Sequence, residues 1–293
     1  MRIVLIGAVA FSRRALERLI EIRADMVGVC TLSESRFNAD HSDLGDICEA
    51  RGISWVYAED INSEESIRWI ADKRPDVIFC FGWSRLLGER LLHIAPLGVI
   101  GFHPAALPAN RGRHPIIWAL VLGLKETAST FFFMDEDADR GDILSQQRIE
   151  IEDRDNASTL YEKITLYALD QIAVFVPQLT SGSFPRVPQD DRCANTWRKR
   201  SKADGQIDWR MSARSIHNLV RGLTKPYVGA HFLYQGQVYK VWSTEVVTGV
   251  PQNIEPGKIL ETADGRPVVR CGEQGIRLLK TEPPIDPAPG EYL

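Results

Sequence analysis

Arg2-Ile-Val-Leu-Ile-Gly7 is an apolar run without polar alternation, closed by a glycine. A strand of that kind is buried on both faces, as happens inside a parallel sheet covered by helices. Leu16, Leu19 and Ile20 follow at helical spacing. The alternation then repeats. A strand from Met26 to Cys30 precedes a helix around Leu44 to Arg51, and a strand at Trp55-Val56 precedes a helix from Glu64 to Asp72. Asp76-Val-Ile-Phe-Cys-Phe-Gly82 and Gly98-Val-Ile-Gly-Phe-His103 are two further buried strands. Strands alternating with helices predict an α/β domain with a mostly parallel sheet.

The order is Rossmann-like, but Gly7-Ala-Val-Ala-Phe-Ser12 carries one of the three glycines that a dinucleotide pyrophosphate turn needs, which argues against NAD. Ligands of such sheets bind at the carboxyl ends of the strands. His103 and the 82–87 segment, with an exposed Trp83, stand at such ends and are expected to face one crevice. Pro104 and Pro108 turn the chain after His103. A basic loop follows, Arg111-Gly-Arg-His-Pro115, then an apolar helix from Ile116 to Leu122. The strand Ser129 to Met134 empties into Asp135-Glu-Asp-Ala-Asp-Arg-Gly-Asp142. A histidine at one strand end and a carboxylate loop at another are the parts of a general acid–base pair. Trp118, Phe131, Phe132 and Phe133 read as core.

The pattern His103-Pro-x-x-Leu-Pro, Arg-Gly-Arg113-x-Pro, Thr127, Met134 and Asp139-Arg-Gly-Asp142 resembles the 10-formyltetrahydrofolate-dependent formyltransferases. That family includes methionyl-tRNA formyltransferase and the amino-sugar N-formyltransferases. The resemblance implies that His103 is a general acid/base assisted by Asp139, 36 positions on. It implies that Arg85, Leu86 and Leu87 hold the pterin of 10-formyltetrahydrofolate through their backbone. Asp135, Glu136, Asp137 and Ala138 would close its other side, and Arg113 would meet the acceptor. No metal is implied. The chain departs from the family at Gly101, where an asparagine donates to the oxyanion. Asn110, a backbone N–H or an ordered water is expected to replace it.

Beyond Asp142 a strand from Ile143 to Ile151 leads to a helix with Leu160, Ile164, Tyr167 and Phe175 on its apolar stripe, expected to stop at Pro177. The Pro- and Ser-rich run after Ser181 reads as linker. The expected organisation is a catalytic domain over 1–190, a linker over 191–205 and a small domain over 206–293. The small domain has a helix with Ile216, Leu219, Val220 and Leu223, then short strands broken at Gln235-Gly236, Pro256-Gly257 and Asp264-Gly265. That pattern predicts a small antiparallel barrel. It also resembles the OB-like C-terminal domain of the same formyltransferases.

A net charge of −4 argues against a chain built chiefly to bind nucleic acid. The five scattered cysteines, with no C-x-x-C, suit a reducing cytosol and offer no zinc framework. The first residues do not read as a signal peptide, and no apolar run is long enough to span a membrane. A cytoplasmic location without membrane association is expected. The stretch Ser33 to Asp46 holds Arg36 and His41 against Glu34, Asp40, Asp43 and Asp46, where the tRNA enzymes of the resembled family carry a basic insertion. The expected acceptor is therefore a small amino sugar, linked to a nucleotide, rather than tRNA. The alternatives are methionyl-tRNA formyl transfer, formyltetrahydrofolate hydrolysis, and an inactive folate-binding protein. A homodimer is compatible with the sequence.

Overall fold

The computed structural model describes residues 1–34 and 40–293. Arg36 lies outside the described residues. By internal contacts the chain divides into two units. The first holds Met1–Gly112, Thr127–Ile149 and Lys163–Trp197; the second holds Arg113–Glu126, Glu150–Glu162 and Arg198–Leu293.

In chain order the elements begin β1 (Arg2–Ile6), α1 (Ala10–Glu21), β2 (Asp25–Thr31), α2 (Gly45–Arg51), β3 (Trp55–Tyr57), α3 (Glu64–Asp72) and β4 (Val77–Cys80). They continue with α4 (Glu89–Leu92), β5 (Val99–His103), β6 (Arg111–Gly112), α5 (Pro115–Val121), β7 (Glu126–Phe133), β8 (Ile143–Glu150) and α6 (Ala157–Ser181). The last are β9 (Thr196–Trp197), α7 (Ala213–Leu223), β10 (Ala230–Tyr234), β11 (Gln237–Val247), β12 (Ile259–Ala263), β13 (Arg266–Arg270) and β14 (Gly275–Glu282).

The sheet of the first unit runs β3-β2-β1-β4-β5-β7-β8. β1 pairs in parallel with β2 and β4, β2 with β3, and β4 with β5. β7 lies antiparallel to β5, with His103 opposite Thr130 and Ile100 opposite Phe133. The unalternating strands are buried as their composition requires: Ile3 to Ile6 and Val77 to Phe79 are wholly inside. Phe175 of α6 packs on Phe131 with ring centroids 4.8 Å apart and stands edge-on to Phe79. A second cluster joins Val4, Ile6, Ile70, Ile78, Leu91 and Val99.

Three local expectations are corrected. Helix α6 does not stop at Pro177 but continues to Ser181. A proline there removes one backbone hydrogen bond, and the burial of Phe175, Val176 and Leu179 outweighs it. The stop comes at Gly182 and Ser183, whose N–H groups donate to the carbonyls of Leu179 and Gln178. Tyr167 is exposed; Ala168, Gln171 and Ile172 carry the buried stripe instead. Trp83 and Trp118 are half-buried, neither exposed nor core. Trp118 stays near the surface, where its indole N–H donates to the Arg198 carbonyl at 3.0 Å and Arg200 lies over its ring. Phe131, Phe132 and Phe133 are core.

The second unit carries an antiparallel sheet ordered β10-β11-β14-β13-β12. What is seen of the expected barrel is this five-stranded sheet, with β10 and β12 at its edges. Its hairpins turn at Gln235-Gly236 and Asp264-Gly265, all four residues at positive φ, as tight two-residue hairpins demand. Ile216, Leu219, Val220 and Leu223 of α7 are buried in one cluster with Phe232, Val241 and Ile276. The buried Arg221 donates through Nη1 to the carbonyls of Glu152 and Asp155, fastening the 150–162 stretch to α7. No helix of the described residues is long and apolar enough to cross a membrane.

His217 of α7 shares a hydrogen bond with Thr244 Oγ1 at 3.0 Å. Burial, with Arg221 and Arg214 nearby, pushes its pKa down. Folding therefore favours the neutral ring. Its contribution to stability is complete above the unfolded value of about 6.5 and is lost as pH falls through the lower folded value. The wild type is expected to lose urea resistance relative to His217→Gln between about pH 7 and pH 5, and a constant difference in urea midpoint would count against this.

Candidate active site

β5 ends in His103, which is buried. Its strand face carries Val99, Gly101 and His103 in alternate positions. The chain then turns through Asn110, in the left-handed region at φ 68°, into β6. Main-chain geometry there fixes the ring. His103 Nε2 lies 2.8 Å from the Asn110 carbonyl oxygen. A carbonyl only accepts, so this contact requires the proton on Nε2. Nδ1 is then the nitrogen free to exchange a proton, and it faces Asp139 Oδ2 at 3.7 Å.

Asp139 arrives on the loop between β7 and β8. Phe133 N–H donates to the Asp142 carbonyl and closes that loop at its base. Asp139 sits at φ 61°, a left-handed conformation that non-glycine residues seldom adopt. Its Oδ2 accepts from Gly112 N–H at 2.9 Å, a charge-assisted bond that orients the carboxylate. Gly112 has φ 100°, and a Cβ there would stand 2.3 Å from the Trp197 carbonyl oxygen of β9. Only glycine lets β6 lie this close to β9. Asp142, beyond the loop glycine, pairs with Arg186 at 2.9 Å.

The other residues singled out in the sequence are placed as follows. Arg85 donates to the Glu59 carbonyl. Leu86 is 71% exposed, and its carbonyl accepts from Asn62 Nδ2, while Gly88 N–H donates to Asn62 Oδ1. Leu87 is buried beside Leu91, Leu92 and Val99. Met134 and Trp83 pack on the same cluster, and the buried indole N–H of Trp83 has no partner among the described residues. Asp135, Glu136 and Asp137 line a cavity of about 680 Å³ with Leu92, Val99 and Met134. Ala138 is exposed outside that lining. Arg113 is exposed and begins a stretch of the second unit. Asn110 meets His103 through its backbone.

Gly101 is not beside a void. A Cβ there would lie 2.8 Å from Met134 Cγ and 3.0 Å from the Phe132 ring. Those two side chains occupy the space that a longer residue at 101 would need.

Sequence reading gave Arg111 no role of its own and missed Gln189, Asp191 and Asn195. Arg111 is buried, with its guanidinium donating to Gln189 Oε1 and, at 2.9 Å, to Asp191 Oδ1. Arg140 reaches the other oxygen of Asp191 at 2.6 Å. Arg140 and Arg111 together hold the Asp191 carboxyl below the usual range. The signal was the group Gln189, Asp190, Asp191 and Asn195 within a stretch whose prolines and serines read as linker. No group of three or more His, Cys, Asp or Glu among the described residues could hold a metal ion.

The comparisons agree with this architecture. The family described as "Formyl transferase" matches residues 1–172, and "Formyl transferase, C-terminal domain" matches residues 199–286. A methionyl-tRNA formyltransferase of Caldanaerobacter subterraneus subsp. tengcongensis is 32% identical over 287 residues, covering 96% of this chain and 92% of that protein. The fold is similar to an N-formyltransferase from Helicobacter canadensis, solved with folinic acid and dTDP-3-aminofucose. The TM-score is 0.71 at 15% identity, over 94% of this chain and 98% of that one. It is also similar to HypX from Aquifex aeolicus, with a TM-score of 0.67 at 16% identity; 96% of this chain spans 44% of that longer one. The chain belongs to the formyl transferase family and is a formyltransferase.

Filling position 101 should be costly. Gly101→Ala is expected to lower unfolding free energy by roughly 1–3 kcal/mol through overpacking. Adding Met134→Ala should recover part of that loss in urea denaturation. An unchanged stability in the single variant would show that Phe132 and Met134 give way freely.

Proposed function

We propose that the chain moves a formyl group from 10-formyltetrahydrofolate to the amine of a nucleotide-linked amino sugar, with His103 as general acid/base and Asp139 as its partner. The observation that carries the chemistry is the ring tied at Nε2 with Nδ1 turned to a carboxylate 3.7 Å away. At 3.7 Å the two groups are not hydrogen-bonded to each other, so the Nδ1 lone pair is open to a proton from the acceptor amine. The acceptor amine attacks the formyl carbon and gives its proton to Nδ1. The imidazolium then stands beside the Asp139 carboxylate, which stabilises it. As the bond from the formyl carbon to N10 breaks, N10 takes the proton and His103 returns to its starting state.

The donor fits the first unit. The pterin would enter the cavity bounded by Leu92, Val99, Met134 and Asp135 to Asp137. On one side it would meet the backbone of Arg85, Leu86 and Leu87; of these, the Leu86 carbonyl is already taken by Asn62. Ala138 would cap the loop, and Arg113 would reach the acceptor. With glycine at 101, the oxyanion falls to the Nδ1–H of the charged His103 and to the side-chain amide of Asn110. Asn110→Gly tests that share directly, since it keeps the left-handed backbone and the carbonyl bonded to His103 while deleting the amide.

The sugar acceptor is supported by the segment after β2. Of its described residues, Asp43 and Asp46 engage Arg13 of α1, whose guanidinium forks onto Asp46 with two contacts of 2.8 Å. A polyanion finds little to hold there. Two residues of the basic run after β9 are engaged within their own unit: Arg198 pairs with Asp204, and Arg200 lies over Trp118. The second reading is transfer to methionyl initiator tRNA, favoured by the 32% identical relative of that name.

A panel of nucleotide-linked amino sugars and charged initiator tRNA, each assayed for formyl transfer, separates the two. Efficient formylation of the tRNA and none of the sugars would reverse the assignment, and formate released without any amine would make the chain a hydrolase. His103→Ala should lose about 10²–10⁴-fold in kcat. Asp139→Asn should lose a comparable factor. The double variant should lose far less than the product of the two, because both changes disable one proton path.

A further inference from the structure

We propose that Gln189 and Asn195, on the segment between α6 and β9, are positioning residues that hold the two halves of the His103–Asp139 pair in register. The inference rests on the proposed function only in the role it gives that pair; the bonds themselves are independent of the substrate.

The Gln189 amide is used at all four of its hydrogen-bonding sites. Its Nε2 donates to the Asp139 carbonyl at 2.9 Å and to the Gly141 carbonyl at 2.8 Å. Its Oε1 accepts from Arg111 Nε at 3.2 Å and from Arg111 Nη2 at 2.8 Å. Arg111 directly precedes Gly112, whose N–H holds the Asp139 carboxylate. A closed ring results: the Arg111 side chain, Gln189, the Asp139 main chain, the Asp139 carboxylate, and Gly112 N–H back to Arg111. Asn195 secures the histidine side. Its Oδ1 accepts from Asn110 N–H at 2.8 Å, and its carbonyl accepts from Arg111 N–H at 3.0 Å. That fixes the peptide whose neighbouring carbonyl engages His103 Nε2.

Asn110 and Asp139 both have positive φ. Such conformations persist where surrounding bonds over-determine them. The Gln189 and Asn195 side chains share no hydrogen bond with each other. Each bonds instead to one of the two catalytic loops, and Gln189 also to the arginine that joins them. Glutamate at 189 would keep the shape and the contact with Arg111, but would turn acceptor oxygens toward two carbonyl oxygens. Aspartate at 195 would still accept from Asn110 N–H, while alanine would not.

The test uses the full chain in four variants: Gln189→Glu, Gln189→Ala, Asn195→Ala and Asn195→Asp. Each is measured for kcat, for KM of both substrates, for Tm, and by ¹⁵N NMR of the histidine rings. The first three should lose about 10–100-fold in kcat, with both KM values within about twofold of wild type. In Asn195→Ala His103 should pass from a single Nε2–H form to a mixture, and in the Gln189 variants its Nδ1 signal should shift as the Asp139 carboxylate moves, while Asn195→Asp should retain the wild-type spectrum and most of the rate. Wild-type kcat and an unchanged His103 spectrum in the first three would overturn the proposal. So would a rate loss that follows only a collapse in Tm with the His103 signals unmoved. A wild type that transfers no formyl group would end the proposed function, and the ring spectra would still decide this inference.

Discussion

The oxygen of a peptide carbonyl can receive a hydrogen bond but cannot give one, and the site is arranged around that asymmetry. The Asn110 carbonyl demands a proton on His103 Nε2, which leaves Nδ1 as the nitrogen with an open lone pair. A proton arriving on Nδ1 makes a cation, and the carboxylate of Asp139 is already aimed at that position by Gly112 N–H. Both controls come from main-chain atoms of a single short segment, 110–112. A shift of that segment would disturb the tautomer and the counter-charge together.

Sheet direction explains why such a segment is needed. β7 runs antiparallel to β5, so its last residues lie opposite Ile100, toward the start of β5 and away from His103. The loop that follows has to bring Asp139 back along the face on which Val99, Gly101 and His103 stand. A loop making that return has no strand partner to hold it, and it is pinned instead by side chains from elsewhere in the unit. The same geometry places Met134 across the Cα of Gly101, so the packing of the strand and the path of the loop are set together.

Much of the first unit was legible because buried parallel strands write themselves as unbroken apolar runs; Arg2 to Gly7 and Asp76 to Gly82 need little context. His103 stood out as a histidine at a strand end, but only the resemblance to the formyltransferases singled out Asp139 among the acids of 135–142; the structure puts that carboxylate 3.7 Å from the ring. Pro177 misled because local propensity counts one lost hydrogen bond and cannot see Phe175, Val176 and Leu179 entering a core. Gln189 and Asn195 were hidden for a related reason. Their neighbours, prolines, serines and charges, have the composition of a linker, and a polar side chain that serves another loop's backbone has no periodicity to reveal it. The hairpin turns of the second unit were visible as Gln-Gly and Asp-Gly pairs, whereas sheet order is set by long-range pairing that no local signal encodes.

The membership of the second unit has a bearing on how the protein is made. Residues 113–126 and 150–162 count with residues 198–293, and α5 packs on α7. On the ribosome, α5 leaves the exit tunnel with its apolar face bare. The helix that covers it ends about a hundred residues later, a wait of several seconds at roughly 5–20 residues per second. The nascent chain thus carries Ile117 and Val121 uncovered while its first sheet is assembling. That interval is one in which a chaperone has something to hold.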